Sequence, residues 1–250
     1  MDKSRLLAFA LPFSSINFLF VFSNVASGSP LFSAMFVFGD SLVDDGNNNY
    51  LNSLAKANYP PYGIDFSMGV TGRFNNGKTV IDFLGEMLDV PYLPAFADTR
   101  PGDSMVLRGV NYASAAAGIL DETGRNWGDR YTIGKQVQNF ETTLSQLKNL
   151  LSDNKNLSQH LAHSLTFVSF GSNDYLNNYL LPEFYATSYI YDPKDYAHLL
   201  VDRYRSHILA LHELGLRKFF LAAVGPLGCI PNQLARALFH QGNAYLLSTT

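Results

Sequence analysis

The sequence of 250 residues contains one cysteine, Cys229, so it cannot form a disulfide within the chain. This excludes the small folds that are held together by disulfides. Charged residues are also few, at 16% with a formal net charge of −3, and no block of Lys or Arg occurs. The lack of a basic stretch argues against nucleic acid as a partner. Hydrophobic residues make up 47% of the chain, which is typical of a globular protein with a large core.

No uninterrupted run of about 18 apolar residues, the length that spans a bilayer, occurs in the sequence. The apolar stretch LLAFALPFSSINFLFVF follows the basic MDKSR and precedes the small residues of NVASGS, which is the order found in secretory signal peptides. We therefore predict a signal peptide over residues 1–27, cleaved after Ser27, rather than a stable membrane anchor. The rest, 28–250, is predicted to be one secreted domain, in which Asn156 of the sequon NLS is a glycosylation site.

Strand-like apolar runs alternate with helical patterns along the chain. Apolar residues at helical spacing predict helices over 133–151 and 196–214, and a third near 80–88. The alternation predicts an α/β fold with a parallel sheet covered on both faces, in which ligands bind beyond the carboxyl ends of the strands. The four runs are MFVF at 35–38, VLRGVNYA at 106–113, LTFVSF at 165–170 and KFFLAAV at 218–224.

The first run leads into GDSLVDDGNNN, where Ser41 is followed by residues that favour turns. A serine at a strand-to-helix turn exposes its hydroxyl near the N–H groups of the helix start, which suits a nucleophile. The other interpretation is that Asp40 and Ser41 cap the helix that follows. The local sequence leaves both interpretations open.

Two later segments offer hydrogen-bond donors for an oxyanion. In GVNYASAAAGIL the small residues let the backbone approach a ligand, and Gly118 can direct its N–H at an oxyanion. The alternative is tight packing of a helix on the sheet. In GSND, Asn173 can donate its side-chain amide to the same oxygen, or it can form an Asx-turn.

The sequence resembles the plant-type GDSL esterase/lipases, which are members of the SGNH hydrolase family. The resemblance is carried by three segments that occur in the same order: FGDSLVDDGNN, GVNYASAAAG and GSNDY. The segments GRFNNGKTVIDFL, IGKQVQNF and FFLAAVGPLGCIPNQLAR extend the resemblance over residues 34–236. The resemblance implies a three-layer α/β/α sandwich with a mainly parallel, flavodoxin-like sheet. It also implies hydrolysis of carboxylic esters, of lipid or acetyl type, through an acyl-serine and without a metal or organic cofactor. Ser41 would be the nucleophile, and the oxyanion hole would combine the N–H groups of Ser41 and Gly118 with the amide of Asn173.

The general base of that family, a His in a D-x-x-H loop near the C-terminus, has no counterpart in this sequence. The motif does occur at Asp195 and His198, but there it belongs to the first turn of a predicted helix. His240 lies in a tail that departs from the family from about residue 237 and has no D-x-x-H. We therefore expect a C-terminal truncation that removes the last strand, the catalytic Asp–His loop and the partners of Cys229, with no catalytic Asp or His in this chain.

Two consequences are expected from such a truncation. The strand at 217–224 would be an exposed edge of the sheet. Without a base to deprotonate Ser41, the turnover rate of ester hydrolysis would be roughly a millionfold lower. The predicted function is that of a secreted hydrolase of small-molecule esters with little or no activity in this product. The alternatives are a non-catalytic protein that binds acyl chains or glycans, and an unstable fragment. The sequence does not indicate the oligomeric state.

Overall fold

The computed structural model describes residues 31–151 and 153–239, with side chains described up to residue 236. The predicted signal peptide over 1–27 and His240 lie outside the described residues. Among the helices in the described part of the chain, none combines the length and the apolar character needed to cross a bilayer.

Four strands form one parallel sheet, as the sequence predicts. The strand order is β2-β1-β3-β4, and β1 pairs in register with β3 from Met35 opposite Leu165 to Gly39 opposite Ser169. The neighbouring pairs are also parallel. The α/β fold class is therefore confirmed. The strands are β1 (Met35–Gly39), β2 (Gly109–Asn111), β3 (Leu165–Ser169) and β4 (Lys218–Ala222).

Seven α-helices, one π-helix and five 3-10 helices occur in the described residues. The α-helices are α1 (Val80–Met87), α2 (Ile133–Leu151), α3 (Asn154–Ala162), α4 (Ser172–Asp174), α5 (Thr187–Ile190), α6 (Pro193–Glu213) and α7 (Pro231–Phe239), and the π-helix is Tyr175–Tyr179. The 3-10 helices are Asn47–Tyr50, Phe96–Asp98, Ser104–Leu107, Arg125–Trp127 and Leu227–Cys229.

Two of the predicted helices, α1 and α6, begin at capping residues. Thr79 forms a capping box with Asp82 at the start of α1. Asp192 caps α6 by accepting a hydrogen bond from the N–H of Asp195, and Pro193 occupies the first turn. The Asp195 and His198 of the D-x-x-H motif therefore lie in α6, where the sequence places them.

The second predicted strand is shorter than its apolar run. Residues Ser104–Leu107 form a 3-10 helix because the side chain of Asp103 accepts a hydrogen bond from the N–H of Met105 and so caps a turn. Strand β2 begins after this turn, at Gly109.

Helices cover both faces of the sheet, so the fold has three layers. On one face Phe36 and Phe38 of β1 pack edge-on against Phe140 of α2, with ring centroids 5.2 and 5.8 Å apart. Helices α3 and α6 complete this buried cluster. On the other face Ile81 of α1 packs with Met35 of β1 in a smaller buried cluster.

Strand β4 lies at an edge of the sheet, as the sequence predicts. Within the described residues it pairs with β3 alone. Phe220 and Leu221 are 44% and 37% exposed, although Phe220 stacks on Phe167 of β3. This edge is therefore apolar and incompletely covered by the described part of the chain.

Gly109 is required where β2 meets β1, and its replacement tests the fold. The residue has a φ of +124°, and a Cβ there would lie 1.9 Å from the carbonyl oxygen of Met35. We expect Gly109→Ala to lower the free energy of unfolding by about 3 kcal/mol or more, because backbone atoms must move to make room. The measurement is urea unfolding followed by circular dichroism.

The matched control is Gly102→Ala. Gly102 also has a positive φ, +85°, but no atom lies within 4 Å of the position of its Cβ. We expect this variant to lose about 1 kcal/mol, the cost of the left-handed conformation alone. Equal losses in the two variants would contradict the close approach of β2 to β1.

Candidate active site

Ser41 lies in a turn that directly follows β1. The carboxylate of Asp40 accepts a hydrogen bond from the N–H of Leu42 at 3.0 Å, and the carbonyl of Asp40 accepts one from Val43 at 3.2 Å. The α-helix expected after Ser41 is not formed: turns lead into the 3-10 helix Asn47–Tyr50. The expectation of a strand-to-helix turn is therefore wrong, and Ser41 has no α-helix to cap at this point of the chain.

The side chain of Ser41 opens into a cavity of about 260 Å³ at the carboxyl end of the sheet. The residue is partly exposed, and its hydroxyl forms no hydrogen bond with any described residue. Asn173 lines the same cavity. The remaining lining residues are Leu54, Ala55, Lys56, Tyr59, Tyr62, Phe74, Ala115, Ala116, Trp127 and Asn177.

The side-chain amide of Asn173 is held in one orientation. Its oxygen accepts a hydrogen bond from the amide of Asn177 at 2.6 Å, and its nitrogen donates to the carbonyl of Ala117 at 2.9 Å. A flipped amide would set two acceptors or two donors against each other. One N–H of Asn173 is therefore left without a described partner in a residue that lines the cavity. The side chain bonds across the fold to Ala117 and does not form the local Asx-turn that the sequence also allowed.

The small-residue run forms a tight turn beside Ser41. The N–H of Ala117 donates to the carbonyl of Ser114 at 3.1 Å, and Ala116 has a φ of +66°. This is the hydrogen bond and the third-residue conformation of a type II turn, in which the central N–H takes no part in the turn hydrogen bond. Among the described residues the N–H of Ala116 has no acceptor. Ala116 lines the cavity, so this N–H without a described acceptor belongs to a residue of the cavity wall.

Gly118 lies buried outside the lining of this cavity. A Cβ at this position would lie 2.4 Å from Cγ2 of Thr123 and 2.7 Å from a carboxylate oxygen of Asp174. Close packing therefore explains the glycine. The oxyanion role of Gly118 stays a prediction. Ala115 and Ala116 are the residues of this run that line the cavity with Ser41, and the N–H of Ala115 already donates to Asp44 and Asn48.

A buried carboxylate ties the turn after β1 to the small-residue turn. One oxygen of Asp44 accepts hydrogen bonds from the N–H groups of Gly46 and Asn47, both at 2.8 Å. Its other oxygen accepts from the N–H of Ala115 at 3.0 Å. Asn48 reinforces the link, because its oxygen also accepts from Ala115 and its nitrogen donates to the carbonyl of Ala115, both at 3.1 Å. The sequence alone gives no sign of these roles of Asp44 and Asn48 beyond the position of DDGNNN directly after Ser41.

Two of the segments that carry the family resemblance, IGKQVQNF and GRFNNGKTVIDFL, stabilise the chain around Ser41. Gln136 of α2 donates to the carbonyl of Gly39 at 2.8 Å and accepts from its N–H at 3.0 Å, which fixes the end of β1. Arg73 forms two hydrogen bonds of 2.8 Å with Asp82 of α1 and lies 3.5 Å from Asp45. The buried guanidinium therefore joins α1 to the loop after Ser41.

Burial raises the pKa of several carboxyl groups around Ser41. The pKa of Asp40 is raised to about 7, chiefly by burial and further by the charges of Asp174 and Asp44. The pKa values of Asp44 and Asp174 are raised to about 6, again chiefly by burial, although both accept backbone N–H groups. Burial likewise raises the pKa of Asp45 to about 7, against the attraction of Arg73.

No histidine of the described residues lines the cavity that holds Ser41. Asp195 and His198 are exposed on α6. His160 and His207 are partly buried, and burial lowers the pKa of each imidazole. In the described part of the chain, His, Cys, Asp and Glu side chains form no group of three or more that could hold a metal ion.

The buried Asp40 gives a test with a definite sign. Its pKa is higher in the folded chain than the ordinary value of 3.8, so its contribution to stability is greatest in acid and falls as pH rises through about 7. We expect Asp40→Asn to stabilise the protein at pH 8 by about 2–4 kcal/mol. The gain should shrink toward pH 5, where the carboxyl is already protonated. Thermal unfolding at the two pH values measures it.

Asp44→Asn is the matched variant, and its expected gain at pH 8 is smaller. Both oxygens of Asp44 accept backbone N–H groups, and an amide nitrogen cannot accept a hydrogen bond. We expect the lost hydrogen bonds to cost about 1–3 kcal/mol, which offsets the relief of a buried carboxyl whose pKa is also raised, to about 6. Equal stabilisation of the two variants at pH 8 would show that the Asp44 hydrogen bonds do not hold the two turns together.

Comparison with known proteins agrees with this arrangement of motifs. The model of the family described as GDSL-like Lipase/Acylhydrolase matches residues 35–248. The chain is 56% identical to GDSL esterase/lipase At5g08460 of Arabidopsis thaliana over 82% of its own length and 53% of the relative's. It is 52% identical to GDSL esterase/lipase At1g71250 of the same plant, over 86% of its own length and 57% of the relative's. The chain thus spans a little over half the length of these curated relatives, and over the span that it shares with them it belongs to the GDSL-like lipase/acylhydrolase family.

Proposed function

We propose that this chain carries the nucleophile and the oxyanion hole of a hydrolase that cleaves carboxylic esters of small molecules through an acyl-serine. The observation that carries the proposal is the shared cavity of Ser41, Ala116 and Asn173. An accessible hydroxyl there faces the same space as two residues that each have an N–H without a described partner. This is the arrangement that acyl transfer requires.

The reaction begins when the hydroxyl oxygen of Ser41 attacks the ester carbonyl and its proton passes to a base. The carbonyl oxygen of the tetrahedral intermediate then takes the negative charge, next to the free N–H of Asn173 and the backbone N–H groups of Ser41 and Ala116. Collapse expels the alcohol, which takes up a proton, and leaves an acyl-serine. Water releases the acid and restores the hydroxyl. Ala116 replaces Gly118 in this proposal because Ala116 lines the cavity.

The general base is the part of the machinery that the described residues do not supply. None of their histidines lines the cavity with Ser41. The buried carboxyl of Asp40 is a poor substitute, because it accepts a hydrogen bond from Leu42 in its own turn and burial raises its pKa to about 7. We therefore propose that this chain by itself hydrolyses esters slowly.

The same observation supports a second candidate function, the binding of a ligand without turnover. A cavity with aromatic walls and hydrogen-bond donors can hold an ester or its products whether or not a base is present. Secretion is part of both proposals and rests on the predicted signal peptide over 1–27. Asn156 is exposed on α3, which suits the predicted glycosylation.

The rate of Ser41-dependent ester hydrolysis tests the missing base. We expect the purified chain to hydrolyse p-nitrophenyl butyrate about 10⁴–10⁶-fold more slowly than a full-length relative, because Ser41 is not deprotonated. Added imidazole should raise the rate of the chain above that of Ser41→Ala in the same imidazole, since it supplies a soluble base. A rate within about tenfold of the relative's, abolished by Ser41→Ala, would overturn the proposal of slow turnover.

A reactive phosphonate tests the oxyanion donor without requiring turnover. A fluorophosphonate becomes attached to a deprotonated serine, here with imidazole added as the base for every variant, and intact mass shows the product. We expect Asn173→Ala to slow this labelling by about a hundredfold, because the developing oxyanion loses one donor. The Ser41→Ala variant should not be labelled.

The matched control for Asn173 is Asn178→Ala. Asn178 is fully buried and donates to Thr123, but it does not line the cavity. This variant should lose stability and keep the labelling rate of the folded protein. If Asn178→Ala slows labelling as much as Asn173→Ala does, the role of Asn173 is structural.

A further inference from the structure

A second cavity of about 320 Å³ adjoins the one that holds Ser41. The two share Leu54 and Trp127 in their linings, so they meet at these two residues. Trp127 is 40% exposed. The other residues that line the second cavity are Asn52, Ser53, Arg125, Asn126 and Gly128.

Hydrogen bonds fix the position of the indole between the two cavities. The N–H of Leu54 donates to the carbonyl of Trp127 at 2.7 Å, and Ser53 forms an antiparallel bridge with Gly128. The indole Nε1 donates to the side-chain oxygen of Asn177 at 3.0 Å. The ring is therefore a preformed surface that a ligand can stack against, one hydrogen-bonded residue away from Asn173.

The charges that line the two cavities are all positive. Lys56 lines the Ser41 cavity and Arg125 lines the second one, while neither lining contains Asp or Glu. Lys56 and Arg125 form no ion pair with a described carboxylate. The guanidinium of Arg125 lies 5.3 Å from the centre of the Tyr185 ring, and this contact orients it. In a chain of net charge −3 this pair of unpaired cations favours an anionic ligand.

The second cavity also contains amide groups that suit hydroxyl groups. Asn52 is exposed, and its side chain makes no hydrogen bond within the described residues. The amide oxygen of Asn126 accepts from the hydroxyl of Tyr185 at 2.8 Å, which leaves its nitrogen as a donor. An exposed indole, two amides and a guanidinium together match a hydroxylated ring that bears a carboxylate.

We propose that the second cavity binds the alcohol portion of the ester, and that this portion is a hydroxylated ring carrying a carboxylate. The ring stacks on Trp127, the carboxylate pairs with Arg125, and the ester group reaches across the indole to Ser41. Assignment of the ring to the alcohol side of the ester rests on the proposed function. Binding of the ring itself does not.

Trp127 is the one tryptophan of the sequence, so its fluorescence reports occupancy of this site without a label and without turnover. The probes are methyl glucuronide and methyl glucoside, two sugars that differ in a carboxylate at one position of the same ring. We expect both to change the emission in a saturable way, with the glucuronide binding about tenfold more tightly because it adds a charge-assisted pair with Arg125. Added salt should reduce that preference, since the guanidinium is exposed.

Two arginine variants separate the site from the overall charge of the protein. Arg125→Met should abolish the preference for the glucuronide and leave the weaker binding of the glucoside. Arg205→Met removes a charge from an exposed position of α6 that lines neither cavity, and should keep the preference.

Equal affinities for the two sugars, no saturable change with either, or tighter binding of benzoate than of the glucuronide would each overturn the proposal. Ser41→Ala separates this result from the catalytic one. A preference for the glucuronide in the wild type and in Ser41→Ala alike supports the site even if no ester is hydrolysed. Hydrolysis at Ser41 without that preference overturns the second site and leaves the hydrolase proposal standing.

Discussion

The carboxylate of Asp44 holds together the two turns on which the site depends. It accepts the N–H groups of Gly46 and Asn47 on its own side and that of Ala115 across the edge of the sheet. Ser41 follows β1 and Ala116 follows β2, so nothing local in the chain sets the distance between them. The buried carboxylate helps to set it, together with Asn48 and the hydrogen bond from the N–H of Ser114 to the carbonyl of Gly39, and a hydroxyl and Ala116 thereby line one cavity.

This arrangement has an energetic cost. Asp40, Asp44 and Asp174 are buried and have no cationic partner among the described residues, and burial raises the pKa of each carboxyl. The hydrogen bonds that Asp44 and Asp174 accept offset part of the desolvation, whereas Asp40 accepts fewer. The acids hold loops that carry the proposed chemistry, which is a common reason for a fold to keep buried charges.

Two consecutive hydrogen bonds connect Trp127, in the proposed ligand site, with Asn173, beside Ser41. The indole of Trp127 donates to Asn177, and Asn177 donates to Asn173. Asn177 lies in the π-helix after β3 and has non-helical backbone angles. π-helices are frequent at functional sites, where they turn a side chain away from its regular direction. Here the irregular segment allows the amide of Asn177 to contact both Trp127 and Asn173, the proposed oxyanion donor.

The sequence by itself determined the strands, the main helices and the family. Periodicity and capping residues are local signals, so helices α1, α2 and α6 lie where the spacing of apolar residues predicts them. The placement of Ser41 and Asn173 was also predictable, because each follows a strand of a parallel sheet and the carboxyl ends of such strands meet at one edge. The tertiary structure decided the rest. It put Ala116, and not Gly118, beside Ser41, it replaced the expected helix after Ser41 with turns, and it brought Trp127 to the cavity. Each of these depends on hydrogen bonds or packing between residues far apart in the chain, whose register is set by the folded sheet and by no local pattern.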